Sequence, residues 1–370
     1  MNTAIAEPET FFTDEQDAAP PIVLDRSTLE RWGAICPHQA YHIDRKLVSS
    51  AGVDADVGNE VHAILAKAVA ARHTEGWPAS QLRQYIEEQA MASRPDLQPA
   101  VLAALRKTYS LVALFCFQAN GPERSAEDIL RYDGGQGRHA GQLAWDIIPA
   151  ADDGSRGPVR ITCELDLLMA GVSIEELEAI DFKSGWKWYT AGDVESSFQF
   201  QFYAALIFWN YPTVNRVRFR VWMTRDGVAT SPVEFTRENL YAIGERLRSA
   251  VAIYLKYRDA DAADDVPAWP APTRCSICPA ATQCIVAHSP ERDVAANPAR
   301  AVQQLVVFEA AAERLRETLS AVVRQTGRDI VCEDGTAFGT GKPVQPRAKP
   351  CAVYETPVTK AKFVEADIPF

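Results

Sequence analysis

No stretch of this 370-residue sequence is apolar for long enough to cross a bilayer. Its strongest run, SLVALFCF at 110–117, falls well short of the roughly twenty residues a span needs. The opening residues, MNTAIAEPETFFTDEQDAAPP, lack the basic start and apolar core of a secretory signal, and their acidic character is expected to leave them as a mobile arm. An excess of positive charge is missing too. The net charge of −11 argues against a protein that coats nucleic acid by bulk electrostatics, leaving a local basic patch as the route to phosphate. Internal repeats are absent. With no secretory signal, the eight cysteines are expected in a reducing compartment, where clustered thiols bind metal more often than they form disulfides. A cytoplasmic location with no membrane partner is the resulting expectation.

What remains is the composition of an ordinary globular protein, 47% hydrophobic and 24% charged, long enough for one large domain or two. Residues 27–46 open with a serine cap and keep helical periodicity as far as Ile35, where Cys36-Pro37 breaks it. Segments 59–73, 80–93 and 99–119 read as three helices. The period then changes. Residues 141–150, 158–171 and 177–185 read as strands, followed by a helix at 194–209, a strand at 216–224 and a helix at 236–257. A helix at 298–325, a hairpin around EDGTAFG and an aperiodic tail complete the chain. The expected fold class is α/β or α+β: a helical lobe, then a mixed sheet flanked by helices.

The densest chemistry lies in CELDLLMAG and EAIDFKSG. Asp166 is placed in one strand and Asp181 in the next, with Lys183 two residues on and therefore on the face of Asp181. Carboxylates converging across neighbouring strands make a hard oxygen site suited to Mg²⁺ or Mn²⁺, and a lysine beside them can orient water or meet charge on a phosphate. Taken as spacing alone, the same residues are also read as turn-proximal acids with a surface salt-bridge partner.

IDFKSG resembles the third motif of the PD-(D/E)XK nuclease superfamily in its RecB-like branch, and ELDLLMAG resembles the strand carrying that branch's first aspartate. GNEVH (58–62) is similar to its helical Gly-x-x-x-His motif, and QFQFY (199–203) to its Gln-x-x-x-Tyr motif. The motifs stand in the family's order. The resemblance implies a mixed central sheet flanked by helices with an N-terminal helical lobe. It also implies a metal site of His62, Asp166 and Asp181 (with the Phe182 carbonyl), Lys183 as the water-positioning group, and Gln199 and Tyr203 steadying the lysine and the strand. Glu164 departs from the pattern, where glycine is frequent, and is read as an extra ligand or a change of local geometry.

Cys275, Cys278 and Cys284 form C-x2-C-x5-C, and His288 extends it to a pattern that can hold zinc. Spacing leaves zinc and iron–sulfur evenly matched. In AddB-type and Cas-four-type members of the RecB-like branch, three such cysteines join one that precedes the nuclease core to hold a 4Fe–4S cluster. The resemblance makes Cys36 the fourth ligand here. Cys116, Cys163, Cys332 and Cys351 are expected to be buried or incidental.

Arg216, Arg218 and Arg220 alternate with Val217, Phe219 and Val221 and are read either as a solvated sheet face or as a phosphate-contacting stripe near the acidic centre. Lys187, between Trp186 and Trp188, is a candidate contact to single-stranded bases. The expected domains are an arm at 1–23, a nuclease domain at 24–290 containing the helical lobe and cluster region, a helix and hairpin at 296–340, and a tail at 341–370. The expected function is a Mg²⁺- or Mn²⁺-dependent DNA exonuclease acting on single-strand ends. Recombination or CRISPR-adaptation proteins are its expected partners. Rival readings are a nuclease-like DNA-end-binding scaffold without catalysis and a zinc-stabilised endonuclease.

Overall fold

The computed structural model describes residues 19–48, 53–107, 112, 116, 125–269, 272–275, 278–284, 286, 297–331 and 337–339. The arm before residue 19, the tail after 340, His288, Cys332 and Cys351 lie outside the described residues. Two compact units divide the chain, residues 1–310 and 311–370. None of the described helices is long and apolar enough to cross a membrane.

The first unit is built on two sheets. Strands β1 (Ile22–Asp25), β3 (Gln142–Ile148) and β4 (Val159–Glu164) form the first, in the order β1-β4-β3. The second runs β2 (Ile129–Tyr132), β5 (Leu167–Ala170), β6 (Glu176–Lys183), β7 (Arg216–Met223) and β8 (Val228–Ala229), with β9 (Val233–Thr236) also on β7. Only β1·β4 and β6·β7 are parallel. The sheets are therefore mixed, as expected.

Strand β6 is covered on both sides, so its apolar residues divide by parity. Leu177 and Ala179 enter a core shared with helices α7 (Phe198–Asn210) and α8 (Leu240–Tyr257). Ile180 and Phe182 enter a second core beneath α3 (Val53–Glu75), α4 (Ala79–Met91) and α5 (Gln98–Leu105), the helical lobe.

Several boundaries differ from the sequence reading; the helix expected at 99–119, for one, gives way to a turn after Leu105. Residues 158–171 are not one strand but two, because Leu165 packs in the first core and Leu167 in the second. The chain changes sheets between them, at Asp166. The helix expected at 194–209 is two, α6 (Ala191–Ser196) and α7, since Ser197 is extended and its side chain caps the Gln199 N–H. The first cap is Asp25 rather than Ser27. Its carboxylate accepts from Thr28 N–H at 2.6 Å and starts α1 (Arg26–Glu30).

After α1 the chain widens into a π-helical turn over Arg31–Ile35, leaves it at the extended Cys36, and restarts as α2 (Pro37–Asp44). In the second unit β10 (Ile330–Val331) and β11 (Ala337–Phe338) pair antiparallel, at the place where a hairpin was expected.

Candidate functional site

Beyond Leu167↔Ile180 the register of β5 on β6 ends, leaving Asp181, Phe182 and Lys183 without backbone partners on that side. The Asp166 carboxylate takes over. Its Oδ2 accepts from the Phe182 N–H at 2.7 Å, and its Oδ1 meets His62 Nδ1 of α3 at 3.0 Å. Asp166 thus works from the crossover between sheets, not from within a strand as the sequence suggested.

Asp181 and Lys183 share the α7 side of β6, as their spacing required, with Lys183 Nζ 2.7 Å from Asp181 Oδ2. The cap at Ser197 starts α7 so that Gln199 faces this strand. Gln199 Nε2 donates to Asp181 Oδ1 at 2.7 Å and to the Tyr203 hydroxyl, one turn on, at 3.1 Å. The structure therefore brings His62, Asp166, Asp181, Lys183, Gln199 and Tyr203 into one connected group.

The group is largely buried and crowded with charge. Asp181 is 5% exposed. Burial pushes its carboxyl up further than the Lys183 ammonium draws it down, and Asp166 adds to the rise. Burial alone would pull Lys183 down, but the Asp181 and Asp166 carboxylates hold it above its ordinary value. Burial likewise opposes protonation of His62, yet the adjoining Asp166 carboxylate carries it up to about 8. Burial, then the field of Asp181, keeps the Tyr203 phenol well above its ordinary value.

Among the described residues, no three His, Cys, Asp or Glu side chains form a preassembled metal centre. Both Asp166 oxygens are engaged by protein donors. The donor set nevertheless fits a hard divalent cation, because the Asp166 and Asp181 carboxylates raise each other's field there and Asp181 Oδ2 is met only by the Lys183 ammonium. His62, Asp166 and Asp181 are the side chains that would hold such an ion.

The arginine stripe is not beside this site, which corrects the expectation that placed it there. Arg216, Arg218 and Arg220 register with Glu176, Glu178 and Ile180, on the face of β6 opposite Asp181. Arg216 is also five residues short of Asp181 along the strand, about 16 Å. Arg218 lies 2.9 Å from Glu176, Arg220 lies 2.9 Å from Glu178, and Arg216 lies 3.2 Å from Glu234.

Lys187 stands 3.3 Å from Asp193 and over the Tyr189 ring. Its neighbours Trp186 and Trp188 are 81% and 59% exposed, and the Arg225 guanidinium stacks 4.2 Å from the Trp186 ring centroid. Sequence reading missed Arg225, since only the β7–β8 turn returns it to Trp186. It also missed Asp133, whose N–H donates to the Asp166 carbonyl at 3.3 Å; the turn signal YDGG was the available clue. Glu164 ends β4 opposite Gln142 and lines a separate cavity.

The four expected cluster cysteines line one cavity. Cys36 arrives from the π turn, and Cys275, Cys278 and Cys284 arrive from the segment after Trp269. The Trp269 N–H donates to Cys36 Sγ at 3.3 Å. Burial pushes the Cys278 thiol up to about 12, and the neighbouring Cys36, Cys275 and Cys284 act in the same direction. Four sulfurs around one cavity suit a thiophilic group. Cys116 and Cys163 are buried elsewhere.

Residues 33–285 match the PD-(D/E)XK nuclease superfamily model, which is more than half of the chain. No curated protein matches the chain.

Proposed function

This chain belongs to the PD-(D/E)XK nuclease superfamily, and we propose that within it the protein is a metal-dependent DNA exonuclease of the RecB-like, iron–sulfur kind. The observation that carries the proposal is the buried Asp181–Lys183 pair, tied through Gln199 to Tyr203 and set beside the Asp166–His62 pair.

His62, Asp166 and Asp181 would hold Mg²⁺ or Mn²⁺, which supplies charge neutralisation at the scissile phosphate and lowers the pKa of water. Asp166 keeps the end of β6 in place through the Phe182 N–H. Gln199 fixes the rotamer of Asp181 so that Oδ2 faces Lys183. Lys183, held as an ammonium by its carboxylate neighbours, orients the attacking water and stabilises charge building on the phosphorus oxygens. Tyr203 stays a neutral hydrogen-bonding group throughout the physiological range.

Preference for single strands is supported by what the surface offers. The net charge of −11 gives duplex DNA little long-range attraction, and the three β7 arginines face carboxylates. Trp186 and Trp188, immediately after the lysine strand, present π faces on which unpaired bases stack. Cys36, Cys275, Cys278 and Cys284 would hold a 4Fe–4S cluster, a group suited to the reducing cytoplasm, in a protein serving recombination or CRISPR adaptation.

One experiment tests the activity. With Mg²⁺ or Mn²⁺, linear single strands should shorten from an end faster than linear duplex, and circular single strands should persist. Equal loss of circle and linear strand would instead identify an endonuclease, and no loss of any substrate would leave a binding scaffold.

A further inference from the structure

A cavity of about 270 Å³ has Tyr203 in its wall, and of the residues assigned to the reaction it includes no other. Its walls include Arg26, Ser27, Gln142, Thr162, Glu164 and Tyr203, with Arg26 its only cationic side chain. Two hydrogen bonds, of 2.7 and 3.1 Å through Gln199, connect the Asp181 carboxylate to the Tyr203 hydroxyl on its wall. The Arg26 guanidinium lies within electrostatic reach of both Tyr203 and Asp181.

Arg26 is held rather than loose. Its Nη1 lies 2.6 Å from Glu30 Oε2 one turn along α1, and its side chain is only 29% exposed. Among the described residues it makes no other hydrogen bond. A guanidinium has five N–H donors, so this one keeps donors for a ligand while its position is fixed.

Resting on the nuclease reading, we infer that this cavity is a subsite for the phosphodiester adjoining the one cleaved, with Arg26 as its anchor. The wall chemistry selects that class. Asp25 and Glu164 also line the cavity, so a free phosphate dianion would face two carboxylates. An internal phosphodiester carries a single charge and turns one oxygen at a time toward a donor. Thr162 and Gln142 supply neutral donors for the remaining oxygen and sugar.

The test measures binding as well as cutting. In EDTA, Arg26→Ala should weaken binding of a fluorescent single-stranded oligonucleotide about tenfold, the scale of a lost charge-assisted hydrogen bond. The slope of log affinity against log salt should become shallower by about 0.7, one phosphate contact. Glu30→Gln, which removes the ion pair but keeps the guanidinium, should bind as wild type. A single methylphosphonate walked along the strand should weaken the wild type at one position and leave Arg26→Ala unaffected there.

Unchanged affinity and salt slope in Arg26→Ala would overturn the inference. So would equal weakening by Glu30→Gln, or the same methylphosphonate profile in wild type and Arg26→Ala. Binding that depends on Arg26 in a protein that cuts nothing would uphold the subsite and refute the nuclease reading alone.

Discussion

Protonation of single side chains at the Asp166–Asp181 site is linked to the stability of the metal-free protein, and pH should expose the link. His62 has a folded pKa of about 8 against an ordinary 6.5, so its contribution to stability is complete below 6.5 and is lost as pH rises through about 8. The shift corresponds to on the order of 2 kcal/mol. In EDTA the unfolding midpoint should therefore fall across that window, and His62→Gln should flatten the fall. A divalent cation must displace the same proton, so its affinity should rise with pH until about 8, which calorimetric titration would measure. Lys183 carries a different load. Lys183→Met should lower kcat by about 10²- to 10³-fold, the usual loss of one preorganised charge, while strand binding in EDTA stays within a few-fold of wild type. Equal loss of binding and turnover would make Lys183 a substrate-holding residue instead.

Among the elements, the π turn has the least slack. A β-carbon on Gly33 would sit 2.1 Å from Ala250 Cβ on α8, so the two backbones meet at a distance only glycine allows. Trp32 beside it is 1% exposed, donates through Nε1 to Asp44 at 2.7 Å and stands edge-on to Tyr254 of α8. Gly33→Ala must push α8 and the turn apart, an overpacking cost of about 1–3 kcal/mol by urea unfolding. Cys36 leaves the same turn three residues later, so the substitution should also reduce iron incorporation. Full iron with reduced stability would uncouple the turn from the cysteine cavity.

Across the whole molecule, Cys36 and the three late cysteines enclose nearly all of the matched nuclease segment. A group bound by all four closes a very long loop in the folded chain, so it should stabilise the domain and not merely decorate it. Protein prepared without oxygen should be brown with about four irons per chain, and Cys36→Ala should lose both iron and thermal midpoint. Stoichiometric zinc, with a harmless Cys36→Ala and a damaging His288→Ala, would mean a local zinc site.

The residues of the site were legible in the sequence because strand and helix periods are local. Two residues along β6 put Asp181 and Lys183 on one face, and four along α7 put Gln199 above Tyr203, whatever surrounds them. Alternation likewise gave Arg216, Arg218 and Arg220 a common face. It carried no sign of which core that face would turn toward, and the parallel pairing with β6 put it opposite Asp181. Residues 158–171 read as one unbroken strand because Leu165 and Leu167 are equally apolar. That they enter different cores, forcing the crossover at Asp166, depends on helices distant in sequence. Arg26 gave no signal at all, since a cavity wall drawn from β1, α1, β3, β4 and α7 has no period along the chain. The sequence determined which groups are candidates for the chemistry. Tertiary packing decided where each points, because burial and pairing register are set between segments rather than within them.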